Sequence, residues 1–137
     1  MSATSAKEPI VRGEWLRPGA HVNAMGSNVA DHREVDTATL TRSALIAVDD
    51  MEQAKIEAGD LLVPERAGEF SLAEATSQGR LVELGQIVAG KIVGRPNDET
   101  ITLFKSLGTG AEDIATAVYV YQQARERGIG QEINLLP

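Results

Sequence analysis

Five consecutive apolar residues, Ala44-Leu45-Ile46-Ala47-Val48, stop abruptly at Asp49-Asp50. A run this short and this uniformly apolar has no side left for solvent, which suits a strand buried on both faces, as in a parallel sheet. Parallel strands need crossover segments between them, and the rest of the chain supplies them. Ala20 to Met25 alternates apolar with polar residues between Pro18-Gly19 and Gly26-Ser27-Asn28, the pattern of a strand between turns. Asp36 and Thr37 can cap a short helix from Ala38 to Arg42. Met51 to Ala58 is rich in helix formers, and Gly59 is expected to stop it. Leu72 to Thr76 fits a helical turn or two. Leu81, Leu84, Ile87 and Val88 recur at three- and four-residue spacing, which predicts a helix ending near Gly90. Ile101 to Ser106 reads as a third strand. A long helix then runs from about Ala111 to Arg127, with Ile114, Val118, Tyr121 and Ala124 on one stripe. Glu112 and Asp113 in its first turn and Arg125 and Arg127 in its last complement the helix dipole. Ile133 to Leu136 is expected to add an edge strand. Strand and helix alternate throughout, the signature of a parallel α/β sheet.

The 137 residues fit one domain. Aromatic residues are only 4%, so Val, Ile, Leu and Ala must build the core. A net charge of −7 with no basic run argues against a nucleic-acid surface, which needs clustered Lys and Arg. The absence of cysteine excludes disulfides and Cys-ligated metal. No apolar run approaches the ~20 residues that span a bilayer. Met1 to Pro9 is polar and does not read as a signal peptide, so a cytoplasmic location is the expectation.

Open α/β sheets bind ligands beyond the carboxyl ends of their strands. Here those junctions are Gly26-Ser27-Asn28, Asp49-Asp50 and Leu107-Gly108-Thr109-Gly110-Ala111. Gly26 would let a ligand approach the backbone, with Ser27 and Asn28 offering hydrogen bonds; the same three residues also suit a plain turn. Gly108-Thr109-Gly110 fails the dinucleotide fingerprint, because Asp113 stands where the third glycine belongs and would repel a pyrophosphate; a helix-capping turn fits better. Asp49 and Asp50 lack a third metal ligand, and a solvated turn suits them. His21 and His32 lack metal-ligand spacing. Glu34 with Asp36 reads as a solvated face, not a catalytic pair. The residues alone give an α/β domain with a ligand edge, no metal site and no chemistry.

Four stretches add to this reading. Thr4 to Pro9 with Leu16 to Asn28 resembles the run from the fourth to the fifth strand of the nucleotide domain in the ornithine cyclodeaminase/mu-crystallin family. Arg33-Glu34-Val35-Asp36 is similar to the Arg-Glu-Leu-Asp that follows there. Glu83-Leu84-Gly85, Gly90-Lys91 and Gly94-Arg95 resemble the family's middle segment. Thr102 to Gly108 with Glu112 to Ala115 resembles its last strand and following helix. The resemblance covers essentially the whole chain.

The family binds NAD or NADP and interconverts imines with amino acids, typically as dimers. The resemblance therefore implies a partial Rossmann-like parallel sheet flanked by helices, ending in a long helix that would return to a dimerisation domain. Residues 1–110 would be the carboxy-terminal half of the nucleotide-binding domain, and residues 111–137 the return helix and terminal segment. By the same resemblance Thr4 and Ser5 sit beside the cofactor, Gly26 and Ser27 contact its nicotinamide side, and Leu107 and Gly108 close over the ring.

Two departures stand out. Asn28 occupies the position of the catalytic Asp of cyclodeaminases and archaeal alanine dehydrogenases, and an amide accepts no proton near neutral pH, so the catalytic residue is unknown and imine reduction is favoured over cyclodeamination. The glycine-rich pyrophosphate loop and the basic residues that bind the substrate carboxylate have no counterpart here. Three readings stay open: a half-subunit completed by an amino-terminal chain, a non-catalytic homodimeric scaffold, and a truncated product with no role of its own.

Overall fold

The computed structural model describes residues 1–131 and 133. Two compact units divide at Met1–Leu107 and Gly108–Pro137. The first is built on a four-stranded sheet of β1 (His21–Ala24), β2 (Leu45–Val48), β3 (Leu81–Glu83) and β4 (Thr102–Lys105), in the order β1-β4-β2-β3. All pairs are parallel. Beyond β1, Ser2 makes one further parallel bridge to Ala24. The helices of this unit are α1 (Thr37–Arg42), α2 (Met51–Glu57), α3 (Gly59–Arg66), α4 (Leu72–Ser77) and α5 (Leu84–Val88).

Register divides the sheet's side chains between two unlike faces. Val22, Leu103, Ile46 and Leu81 form one row across the sheet, and Ala24, Lys105, Val48 and Glu83 form the next row on the same face. This face meets Leu40, Ala54, Leu61, Leu72 and Ala75 of α1 to α4, and Ala58 between α2 and α3, in the main core. The opposite face carries a smaller cluster of Leu45, Ala47 and Val82, with Ile87, Ile92 and Phe104 partly buried against it. All four residues of β2 are buried, as the uninterrupted apolar run requires.

Local chemistry explains the helix starts. Asp36 accepts a hydrogen bond from Thr39 N at 2.8 Å, and Asp50 accepts one from Gln53 N at 2.8 Å. Ser71 receives Glu74 N in the same way at 3.2 Å. Each satisfies an amide that the first helical turn leaves without a partner.

Three expectations need correction. Leu81 lies in β3, not in a helix with Leu84, Ile87 and Val88. Leu81 and Val82 are both buried, on opposite faces of the sheet, so a two-residue strand signal had merged with a helical spacing. Gly59 does not terminate structure but opens α3, an element the sequence did not reveal. A Cβ at Gly59 would stand 2.0 Å from His32 O, so close approach of backbone, not helix termination, demands glycine there. Finally, there are four strands where the sequence pattern predicts three in this unit. The expected edge strand at Ile133 to Leu136 falls outside the described residues except for Ile133, which is in no strand.

The second unit contains α6 (Gly110–Arg127). Thr109 caps it by accepting from Glu112 N at 3.3 Å, and Gly128 ends it at φ 63°. The stripe residues Ile114, Val118 and Tyr121 are exposed. No helix among the described residues is long and apolar enough to cross a membrane.

Candidate functional site

The strands end in line. Ala24, Lys105, Val48 and Glu83 share one row, so the turns after β1, β4 and β2 emerge side by side at the carboxyl edge, the usual ligand edge of such a sheet. The backbone ties this edge together: Ser2 N donates to Asn23 O at 2.8 Å, Met25 N to Ser2 O at 2.9 Å, and Ser106 N to Ala24 O at 3.0 Å. Thr4 and Ser5, which follow the Ser2 bridge, are exposed at the same edge.

Glu34 locks the first two segments. One carboxylate oxygen accepts from Thr4 N at 2.6 Å and from Thr4 Oγ1 at 2.9 Å, and the other accepts from Gly26 N at 2.7 Å. Its side chain is removed from solvent. Burial pushes the carboxyl up, but the hydrogen bonds from Gly26 and Thr4 outweigh it and hold the group below the usual carboxylate range. The expectation of a solvated Glu34–Asp36 face is therefore wrong. Asp36, half-buried, accepts from Gly13 N as well as from Thr39 N and Oγ1. Burial raises it, the hydrogen bonds from Thr39 and Gly13 and the charge of Arg33 lower it, and the result lies below its ordinary value.

Gly26 is required by the packing of the protein against it. A Cβ there would lie 2.0 Å from Thr4 N and 2.5 Å from a Glu34 carboxylate oxygen, so the space beside it is filled by the protein itself. Ser27 is buried and donates through its hydroxyl to His32 O at 2.9 Å. Asn28 is exposed.

Beneath this turn lies a pair that no sequence signal marked. Lys105 and Asp60 are fully buried, 3.1 Å apart. Lys105 Nζ also donates to Ser27 O, while Asp60 Oδ1 accepts from Glu34 N at 2.6 Å and Val35 N at 2.9 Å. In the sequence Lys105 lies at the polar end of the expected third strand and Asp60 stands out in no way; only the packing joins them.

On the β4 side, Asp49 accepts from Leu107 N at 2.6 Å and Ser106 Oγ at 3.1 Å. It is half-buried and fastens the end of β4 to that of β2, where a solvated turn was expected. Asp50 caps α2. Leu107 is half-buried, and Gly108, at φ 78°, opens the second unit. Of the residues singled out from the sequence, Thr4, Gly26 and Ser27 thus come together, with Ser5 next to Thr4 and Leu107 leaving the neighbouring strand. His21 sits at the other end of β1, exposed, against Thr102 Oγ1 at 2.8 Å. No group of three or more His, Cys, Asp or Glu among the described residues could hold a metal ion.

The edge offers a neutral hydroxyl at Ser5, an amide at Asn28 and one apolar side chain at Leu107, while the Thr4 hydroxyl is engaged with Glu34. Lys105, the cation beneath it, is buried and paired.

The family model described as the ornithine cyclodeaminase/mu-crystallin family matches residues 1–128. A Δ1-pyrroline-2-carboxylate reductase of Bacillus cereus is 38% identical over 134 residues, covering 98% of this chain and 39% of the relative. The structure of Thermococcus litoralis Δ1-pyrroline-2-carboxylate reductase in complex with NADH and L-proline superposes with a TM-score of 0.79 at 40% identity, over 96% of this chain and 39% of that one. An archaeal alanine dehydrogenase dimer with bound NAD gives 0.76 at 33% identity, over 98% and 40%. The chain spans about two fifths of the length of these proteins.

Proposed function

Since the chain belongs to the ornithine cyclodeaminase/mu-crystallin family, we propose that it provides the nicotinamide-side edge of an NAD(P)-dependent oxidoreductase acting on small imines and amino acids. The observation that carries this reading is the meeting of three segments within the first unit: Thr4-Ser5 after the Ser2 bridge, Gly26-Ser27-Asn28 after β1, and Leu107 after β4. That meeting comes with neutral donors and an apolar side chain where a nicotinamide carboxamide and ring would rest. Residues 1–110 act as the carboxy-terminal half of a Rossmann-like domain, and residues 111–137 as the return helix and terminal segment.

When bound, a reduced nicotinamide supplies the hydride that turns an imine carbon into an amine carbon, the nitrogen taking a proton. This chain's residues hold and orient. Thr4, fixed by Glu34, places its neighbour Ser5 at the edge; the turn at Gly26 and Ser27 sets the floor under the ring; Leu107, fastened by Asp49, keeps water from one side of it. Asn28 can hydrogen-bond a substrate group but cannot remove a proton, which favours imine reduction over cyclodeamination. A complementing chain supplies what binds pyrophosphate and the substrate carboxylate, which a second copy of this sequence would equally lack. The exposed Ile114, Val118 and Tyr121 of α6 favour association of some kind.

A fluorescence titration of the purified chain with NADH and NADPH tests this reading. Saturable enhancement of nicotinamide emission at micromolar concentration is the expected result, followed by oxidation of NADH when Δ1-pyrroline-2-carboxylate and the associating partner are present. Absence of binding, alone and with the partner, would turn the assignment to the second reading, a non-catalytic dimeric scaffold.

A further inference from the structure

We propose that the buried Lys105–Asp60 pair is a positioning device for the ligand edge: its ammonium holds the Ser27 carbonyl and thereby sets the Gly26-Ser27-Asn28 turn. The inference rests on the functional reading above only for what that turn then does.

Removing an ammonium and a carboxylate from water is expensive, and well-packed apolar side chains of similar volume commonly hold a core as well or better. Lys105 lies in the row of Ala24 and Val48, both fully buried, where an aliphatic residue would satisfy the sheet. What an aliphatic side chain cannot supply is a donor to Ser27 O. Asp60 uses both carboxylate oxygens: Oδ2 neutralises Lys105 at 3.1 Å, and Oδ1 takes Glu34 N and Val35 N. Glu34 in turn takes Gly26 N and both donors of Thr4.

One connected set of three buried charges therefore reaches the end of β4, the start of α3, the Glu34-Val35 segment and the two turns that carry Thr4, Gly26 and Ser27. Within the Gly26-Ser27 turn it grips an amide on one side and a carbonyl on the other, which fixes the peptide planes and not merely the position of the turn. Lys105 and Asp60 touch no ligand in this arrangement; they act through Ser27.

The informative variant is Lys105→Met combined with Asp60→Asn. It removes both charges together, so none is left buried and alone, and the Asn oxygen still accepts from Glu34 N and Val35 N. The donor to Ser27 O is lost, and the Asn amide group stands where the carboxylate oxygen faced the ammonium, free to turn its N–H toward Ser27 O or stay unpaired. The expected result is an unfolding midpoint in urea close to that of the parent. Amide exchange at Gly26, Ser27 and Asn28 should be about tenfold faster, the size expected from losing one charge-assisted hydrogen bond, while Ile46 and Leu103 are unchanged. Provided the parent binds NADH, the variant's dissociation constant should be higher by about the same factor, and the emission maximum of bound NADH should shift.

Unchanged exchange in the turn would overturn the proposal. So would a dissociation constant and emission unaffected by a loosened turn. Should the double variant fail to fold, NMR of the parent decides: a scalar coupling from Lys105 Nζ to the Ser27 carbonyl carbon supports the tether, and its absence refutes it. If the parent binds no NADH yet the variant's turn loosens, the functional reading fails and the positioning role stands.

Discussion

The two faces of one sheet have different fates in this protein. Leu103 and Phe104 are neighbours on β4, yet Leu103 points into the main core and is fully buried, while Phe104 is only partly buried against a cluster of three buried residues. On the first side four helices supply the covering side chains; on the second, Ile87 of α5 and Ile92 supply most of it. Parallel sheets are normally covered on both faces. The difference locates the fixed geometry of this unit: the covered face carries both the bulk of the apolar burial and the charged set that grips the turns, and the open face carries neither.

Deleting side chains on adjacent positions of β4 tests the contrast most strongly. Leu103→Ala should cost about 2–5 kcal/mol, and Phe104→Ala about half as much despite its greater size, because much of its ring already meets solvent. Urea unfolding of both variants reads the difference. Equal costs would break the comparison and mean that something covers the second face in solution.

Glycine substitutions sharpen it at the next level. Gly26→Ala places a methyl against Thr4 N and the Glu34 carboxylate and should destabilise by about 1–3 kcal/mol. Gly85→Ala, in α5 beside the open face, meets nothing within 4 Å and should be neutral or stabilising by up to about 1 kcal/mol. Thermal unfolding of the two variants compares them directly.

The smallest expected effect depends on pH. Glu34 and Asp36 are both held below their ordinary values in the folded chain. The unfolded chain therefore binds protons at a higher pH than the folded one, with carboxylate values near ~4. Their contribution is complete above that range and is lost as pH falls through it toward the lower folded values. A series of unfolding midpoints from about pH 7 to about pH 3 should decline below about 4, and Glu34→Gln should flatten part of that decline. A Glu34→Gln curve parallel to the parent's would show that Glu34 does not bear this role.

Much of the fold was legible because its signals are local. The apolar run at Ala44 to Val48, the caps at Asp36 and Thr109, and the end of the last helix at Arg127 each depend on a few successive residues, and each sits where the sequence pattern puts it. Leu81 and Gly59 were misread because their patterns are ambiguous in one dimension. Two apolar residues bordering a helix fit either period, and a glycine needed for close packing looks the same as one that ends a helix. The site was legible in part: the resemblance picked out Thr4, Gly26 and Ser27, and the structure brings these three together. The residues that hold them were invisible, since Glu34, Asp60 and Lys105 are separated by 26 and 45 positions in the chain and each alone resembles a surface charge.

The sequence by itself determined the class of sheet, the starts of the capped helices α1, α2 and α6 to within a residue, and the family, because periodicity, capping and motif order are written in neighbouring residues. Only the tertiary structure decided which face of the sheet is covered, that Gly26 is crowded by Thr4 and Glu34, and that a lysine and an aspartate are buried together beneath the turn. Burial and charge pairing are properties of what lies across space from a residue, and a charged side chain is driven out of water only when the rest of the fold places its partner there.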